Sequence, residues 1–416
     1  MKYLVFILTM VMVACQPSVN EKVYLIEGEA QGSTYHIKYI AERDENLKPA
    51  IDCTNFTFCS LEPKLGGEDK VFGCMQSEAD VKNVLKYIEG LKKELGGDVE
   101  FLCGYEAGCL GFSLYHQLKK QGVECVILAP STMMASKGKR IKTDARDAKR
   151  IAQCLAYGTY RSVHIPSSDD DAVKEYIRMR DDHKIALKKL KQQINALCLR
   201  NGRQYTRTKW SLAHLRWLRE MDWQEAVLKE TLQEYLMTFE QMTNKLEALD
   251  RRIEELAQGE KYREKVKKLV CLLGVKTRTA LASIVEVGDF CRFEKGSTYA
   301  AYLGLTPGES SSGDTVRRGG LSKAGNAHLR TLYIEAAQGI CKGRIGHKSK
   351  ELKARQAGSS QEVIAYADQA NERLRRKYYR LTHREKKRNV AVAAIARELA
   401  CFIWGLMTNH TERRVA

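Results

Sequence analysis

Apolar and polar positions change period several times along this chain, and each change predicts an element. VYLIEGEAQGSTYHIKYI (23–40) alternates apolar and polar residues, which predicts a pair of strands. PAIDCTNFTFCSLE (49–62) alternates in the same way. Residues 78–96 space Val81, Val84, Leu85, Ile88 and Leu91 at helical intervals and end on Gly96-Gly97, the signature of a helix and its stop. VEFLCGYEAG (99–108) is a strand running into a turn, 109–121 a helix, and VECVILAP (123–130) a short apolar strand. TDARDAKRIAQCLAYG (143–158) is a helix opened by Thr143 as N-cap. This order predicts a layered α/β domain.

From 169 to 260 the chain is almost all helix formers. Ile177, Ile185, Leu187, Leu190, Ile194 and Leu197 make one stripe, and Leu236, Leu246, Leu249, Ile253 and Leu256 another. The spacing predicts a long antiparallel helical pair or coiled coil. Residues 262–340 form a glycine-punctuated helical unit. Residues 389–407 form an apolar helix; Arg397 and Glu398 inside it favour core or oligomer contact over membrane insertion. The chain therefore divides into a leader (1–47), an α/β domain (48–160), a helical segment (165–260), a mainly helical C-terminal domain (262–345) and a basic, then apolar, tail (346–416).

Composition narrows the function. With 29% charged residues and a mean hydropathy of −0.41, the chain is neither a polytopic membrane protein nor mostly disordered. Lys+Arg 69 against Asp+Glu 51 gives +18, which favours a polyanionic partner, nucleic acid first. The excess concentrates in 342–388, with 15 Lys/Arg and 5 Asp/Glu. No C-x-x-C pair occurs among the 13 Cys, so zinc-ribbon spacing is absent and the thiols read as core residues in a reducing compartment.

Four acids and one serine-rich segment carry candidate chemistry. Asp52 lies on the strand pattern at 49–62, Glu106 follows the strand at 99–103, and Asp144 and Asp147 share one face at the start of a helix. Convergent carboxylates suit two Mg²⁺ ions, which stabilise attacking and leaving oxygens in phosphodiester exchange. Within 304–337, a Ser/Gly loop can present a hydroxyl, and Arg317, Arg318, Lys323 and Arg330 can neutralise phosphates. Between 269 and 293, a helix ending near Leu273-Gly274 and another starting near Thr277 would aim backbone N–H groups at a phosphate, helped by Lys276 and Arg278.

The order of these residues resembles the DEDD transposases of the insertion-sequence 110 family. Ile51-Asp52-Cys53, Gly104-Tyr105-Glu106-Ala107-Gly108 and Lys142-Thr143-Asp144-Ala145-Arg146-Asp147 resemble its three acidic motifs. Gly304, Pro307, Ser312-Gly313, Gly320, Ser322-Lys323, Gly325-Asn326 and Leu329-Arg330 resemble its C-terminal motif. The resemblance covers about 49–407. It implies a RuvC-like, RNase H-fold N-terminal domain holding Mg²⁺ on the four acids. It also implies a serine nucleophile, placed at Ser312 with Ser311 next and Ser310 third, and a homodimer or homotetramer. The partners it implies are DNA and a structured non-coding RNA that guides it, with no small-molecule substrate. Leu47-Lys48-Pro49-Ala50 stand where the family's first strand begins, and Pro49 cannot donate to a sheet ladder. A Holliday-junction-type nuclease and an inactive nucleic-acid binder are the alternatives.

The start of the chain points elsewhere. MKYLVFILTMVMVAC (1–15) has the short apolar run of a signal peptide and a Cys15 like a bacterial lipoprotein cleavage site. Gly28, Gly32, Ser33, Thr34 and Tyr35 resemble the opening of FAD:protein FMN transferase lipoproteins. A basic, Cys-rich body belongs in the cytoplasm, so the leader reads as a foreign segment fused in frame near residue 48.

Overall fold

The structure is a computed structural model and describes residues 3–10, 22–30, 33–41, 55–63, 68–96, 99–108, 111–133, 143–311, 315 and 317–410. It forms two compact units, Met1–Ile165 and Pro166–Ala416.

In the first unit, β1 (Tyr3–Met10), β4 (Asn55–Glu62), β5 (Lys70–Glu78), β6 (Glu100–Glu106) and β7 (Glu124–Leu128) form one sheet in the order β5-β4-β1-β6-β7. β4 is antiparallel to β1 and β5, while β1, β6 and β7 run parallel. β2 (Lys22–Ala30) and β3 (Ser33–Ala41) pair as a separate antiparallel hairpin, as the alternation at 23–40 predicts. The strand pattern at 49–62 yields β4 from Asn55 onward, and Asp52 lies outside the described residues. The central position of the sheet belongs to Tyr3–Met10, which registers Ile7 against both Cys59 and Gly104. Here the structure departs from the expectation of a signal-peptide segment: the run of β-branched, aromatic and Leu residues that suits an apolar signal also suits a fully paired strand.

Helices cover both faces of this sheet. On one side, α1 (Val81–Leu95) and α2 (Ser113–Lys120) pack Val84, Ile88, Leu114 and Leu118 onto Phe56, Phe58, Cys103, Tyr105 and Ile127. On the other, α3 (Asp144–Ala156) packs Ala148, Ile151, Ala152 and Leu155 onto Cys59, Leu61 and Leu128. The period of two along β4 sorts Phe56 and Phe58 from Cys59 and Leu61. Asp80 caps α1 by accepting from the Lys82 N–H (2.9 Å). Thr143 stands at the N-cap of α3 as expected, yet makes no side-chain cap bond.

The second unit is helical. α4 (Ser168–Arg200) opens on a Ser167 cap with Asp169, Asp170 and Asp171 in its first turn, where the helix dipole favours acids. α5 (Leu212–Arg219) bridges to α6 (Ala226–Ala257), which packs along α4. Ile185, expected in the buried stripe, is exposed, while Leu187, Leu190, Ile194 and Leu197 are buried with Leu232, Leu236, Phe239 and Leu246. A larger core gathers α7 (Glu260–Leu269), α8 (Thr277–Val287), α9 (Gly296–Tyr302), α10 (Ala327–Cys341), α12 (Gln361–His383) and α13 (Arg388–Met407); the short α11 (Lys350–Gln356) buries Leu352 and Gln356. α13 is long and apolar enough to cross a membrane, but Ile395, Leu399 and Ile403 are fully buried in this core. Between α9 and α10 the chain makes a small hairpin, β8 (Pro307–Glu309) and β9 (Arg318–Leu321).

Candidate functional site

The acidic residues come to the first unit from a strand end and a helix start. Glu106 is the last residue of β6, opposite Leu128 of β7, and is half-buried. Asp144 and Asp147 occupy the first turn of α3, also half-buried, and Asp147 lies 3.5 Å from Arg150 Nη2. α3 reaches the sheet closely because β6 carries Gly104. A Cβ there would lie 2.5 Å from Leu155 Cδ1. The far end of α3 is tied by Gln153 Nε2, which donates to Asp69 (3.0 Å), and by the Tyr157 hydroxyl on the same carboxylate. Oxygen donors of this kind suit a hard divalent cation. Among the described residues, however, no three His, Cys, Asp or Glu groups stand close enough to cage an ion, and Asp52 lies outside them.

In the second unit the serine segment forms the β8–β9 hairpin. The Ser310 N–H donates to Arg317 O (2.9 Å). The Ser311 hydroxyl donates to Glu309 Oε1 (2.9 Å) and accepts from the Arg317 N–H (3.3 Å), so it helps close the turn. Ser310 and Ser311 are exposed; Ser312 and Gly313 lie outside the described residues. The base of the hairpin is fixed backbone to backbone. Gly304 (φ +65°) and Gly325 (φ +72°) take left-handed conformations, and a Cβ at Gly325 would lie 2.0 Å from Tyr302 O. Lys323 adopts φ +54° without being glycine, a strained conformation in an exposed position. Arg330 is turned inward: its Nη1 donates to Leu303 O (3.0 Å) and Ala324 O (3.2 Å). Arg317 and Lys323 are exposed.

Residues 55–200 match the profile of the IS110-type DEDD transposases, and residues 267–355 match that of the transposase IS116/IS110/IS902 family. A Sinorhizobium fredii protein classed among transposases is 34% identical over 385 residues, 92% of this chain and 91% of its own. The chain belongs to the IS110 family of transposases. A second relative, the transposase for insertion sequence element IS1533 of Leptospira borgpetersenii, is 32% identical over 320 residues, 73% of this chain and 88% of its own. This transposase is therefore an enzyme that binds and recombines DNA.

The turn before α8 is built as the sequence predicts, with Gly274 at φ +83° and α8 starting at Thr277. Lys276 is exposed and lies 3.2 Å from Glu351, while Arg278 is committed inward to Asp181 and Glu335. Arg278 belongs to a charged network that sequence reasoning missed. Glu286, in the apolar run of α8, has a side chain only 2% exposed. Its two oxygens accept from Arg178 Nε and Nη2 (2.9 Å each), from Asn326 Nδ2 (2.6 Å) and from His328 Nδ1 (2.7 Å). The other ring nitrogen of His328 lies 2.8 Å from Asp181 Oδ2. Burial works against each charge, but the partners prevail. His328 is raised to about 9 by its bonds to Asp181 and Glu286. Asp181 and Glu286 are both held down at about 2, each by the His328 bond together with arginine. The signal available in the sequence was one charged residue inside the mostly apolar Leu281–Val287.

Proposed function

We propose that this transposase cuts and rejoins DNA through a transient covalent link to Ser312, with the four acids holding Mg²⁺. The observation that carries this reading is the exposed Ser310 and Ser311, next in sequence to Ser312, on a hairpin whose base is held by Gly304, Gly325 and Arg330. Placement of that kind is what an in-line nucleophile needs. Ser311 spends its hydroxyl on closing the turn, which favours its neighbour Ser312 as nucleophile. The Ser312 oxygen forms an ester bond to phosphorus as the bond from phosphorus to one deoxyribose oxygen breaks. The serine proton leaves to solvent, and the released oxygen takes one up. Attack by an incoming DNA hydroxyl then reverses the exchange, so the phosphodiester energy is conserved for rejoining. Asp52, Glu106, Asp144 and Asp147 would hold Mg²⁺, which supplies charge neutralisation at the phosphoryl oxygens. Arg317, Arg318, Lys323 and Lys276 would contact phosphates, whereas Arg278 and Arg330 would act from inside as supports.

The strand order β5-β4-β1-β6-β7, three strands antiparallel and then two parallel, supports an RNase H-like reading of the first unit. The paired α4 and α6 support a coiled-coil arm. For a structured guide RNA, the support is the α12–α13 corner, where Arg380, His383, Arg384, Lys386, Lys387 and Arg388 are all exposed. We read the enzyme as a cytoplasmic homodimer or homotetramer.

The test is strand transfer by the full chain, given element-end DNA, the flanking RNA and Mg²⁺, with protein–DNA adducts resolved on denaturing gels. An adduct lost in Ser312→Ala and kept in Ser311→Ala supports the reading. Cleavage without an adduct would point to a junction nuclease, and binding without cleavage to an inactive relic.

A further inference from the structure

We propose that His328, bridging Asp181 and Glu286 with both ring nitrogens, is a positioning residue that fixes the base of the serine hairpin to α4. The inference rests on the reading of Ser312 as nucleophile, and its test separates the two. A neutral imidazole carries one N–H and one lone pair. Two carboxylates at 2.7 and 2.8 Å can both be satisfied only when the ring donates from both nitrogens. His328 is therefore a cation in the folded protein, and it joins three helices: Asp181 on α4, Glu286 on α8, and its own α10.

The link to the hairpin runs through Asn326, two residues earlier. Its N–H donates to Tyr302 O (3.1 Å) at the end of α9, where the chain leaves for the hairpin. Its side-chain oxygen accepts from the Leu329 N–H (3.0 Å) and so caps α10. Its side-chain nitrogen donates to Glu286 (2.6 Å), the same carboxylate that His328 holds. The hairpin base, the start of α10 and the flank of α4 thus meet on one buried carboxylate. The charged groups around His328 are Arg178, Arg180, Asp181 and Lys184 on α4, Asp250 on α6, Arg278 and Glu286 on α8, and Glu335 on α10. Arg178 also holds Glu286, and Arg278 also holds Asp181, so loss of His328 loosens the assembly without emptying it.

The experiment combines two readouts on the full-length chain. Hydrogen exchange reports protection of the hairpin-base amides in 304–326. The rate of adduct formation with element-end DNA reports the chemistry. His328→Gln, which cannot donate to both carboxylates as a cation, is expected to raise exchange in 304–326 and to slow adduct formation at least tenfold, with DNA affinity unchanged. His328→Lys, which restores the charge, is expected to recover part of both. Ser312→Ala is expected to keep the protection while abolishing the adduct. Unchanged exchange in His328→Gln would overturn the proposal, as would unchanged adduct formation beside an active wild type. If wild type forms no adduct, the serine reading fails, and the exchange data still decide the positioning role. Should His328→Gln not fold, wild type supplies the same test: after correction for intrinsic rates, protection in 304–326 must fall as pH rises through about 9, and constant protection would overturn the proposal.

Discussion

Replacing Glu286 by Gln isolates the energetics of the buried network. The carboxylate sits 2% exposed between Arg178, Asn326 and His328. The amide removes the charge that compensates two cations, and in either orientation it sets its own N–H₂ against two of the four donor N–H groups. Breaking a buried pair from one side costs about 3–5 kcal/mol, because the remaining charges stay desolvated. For a unit of about 250 residues, that is a fall in melting temperature of roughly 6–20 °C. The pH dependence should change too. In wild type, His328 is raised to about 9. Its stabilisation is full below the ordinary imidazole value and is lost as pH rises through about 9, a change of about 3 kcal/mol at most. Asp181 and Glu286, held near 2, contribute above the usual carboxylate range and lose that contribution as pH falls through about 2. In Glu286→Gln only Asp181 faces the ring as an anion, so the loss of stability between pH 6.5 and 9 should shrink. Guanidinium unfolding of both proteins at pH 6 and pH 9.5 measures each difference. A loss under about 1 kcal/mol at pH 6, or wild-type stability that is flat across this range, would refute the reasoning.

Other expectations follow from single contacts. Gly325→Ala should destabilise by roughly 2–4 kcal/mol, since it adds a left-handed penalty to a Cβ lying 2.0 Å from Tyr302 O; the denaturant midpoint should fall with an unchanged slope. Tyr333→Phe removes a buried hydroxyl that bonds Tyr299 (2.6 Å) and Ser283 (2.9 Å), and should cost about 1–3 kcal/mol in the same assay. Ile7→Pro removes a ladder donor from the middle of the sheet, so hydrogen exchange should rise across β4 and β6 and stay constant in Pro166–Ala416. DNA affinity should fall steeply between 50 mM and 200 mM salt, and a flat response would argue against phosphate contacts as its source.

Most helices were legible because local periodicity decides them. α1, α3, α4, α6 and α13 all lie where the apolar spacing put them, and the glycine turn before α8 starts the helix at Thr277 as expected. Ile185 was misjudged because it stands two residues before the buried Leu187, about 200° around the helix, so the two cannot share one face. β5 and α5 were not foreseen: Lys70–Glu78 buries none of its residues and so lacks a strong alternation. The serine segment was legible as part of a family motif, which the match over 267–355 bears out, but not as a hairpin, since its strands are three and four residues long. His328, Glu286 and Asp181 are far apart in sequence, and only tertiary packing brings them together. The central strand was the least legible of all. An apolar run can enter a sheet or serve as a signal with the same composition, and the family match itself begins at residue 55, past Asp52.

The two long helices have mechanical leverage. α4 alone, at 33 residues, is about 50 Å long at 1.5 Å per residue. Its root, at Val173 and Ile177, belongs to the main core, while Leu187 to Cys198 join a separate cluster with Leu218, Trp223 and Phe239. That distal cluster is a small self-supporting knob carried on a stiff rod. A tilt of about five degrees at the root swings the knob by about 2–3 Å, close to the span of one hydrogen bond. The Arg178 and Asp181 contacts sit on that root. A rearrangement around His328 too small to disturb the core would therefore be magnified at the far end of the rod into a displacement that a bound partner could register.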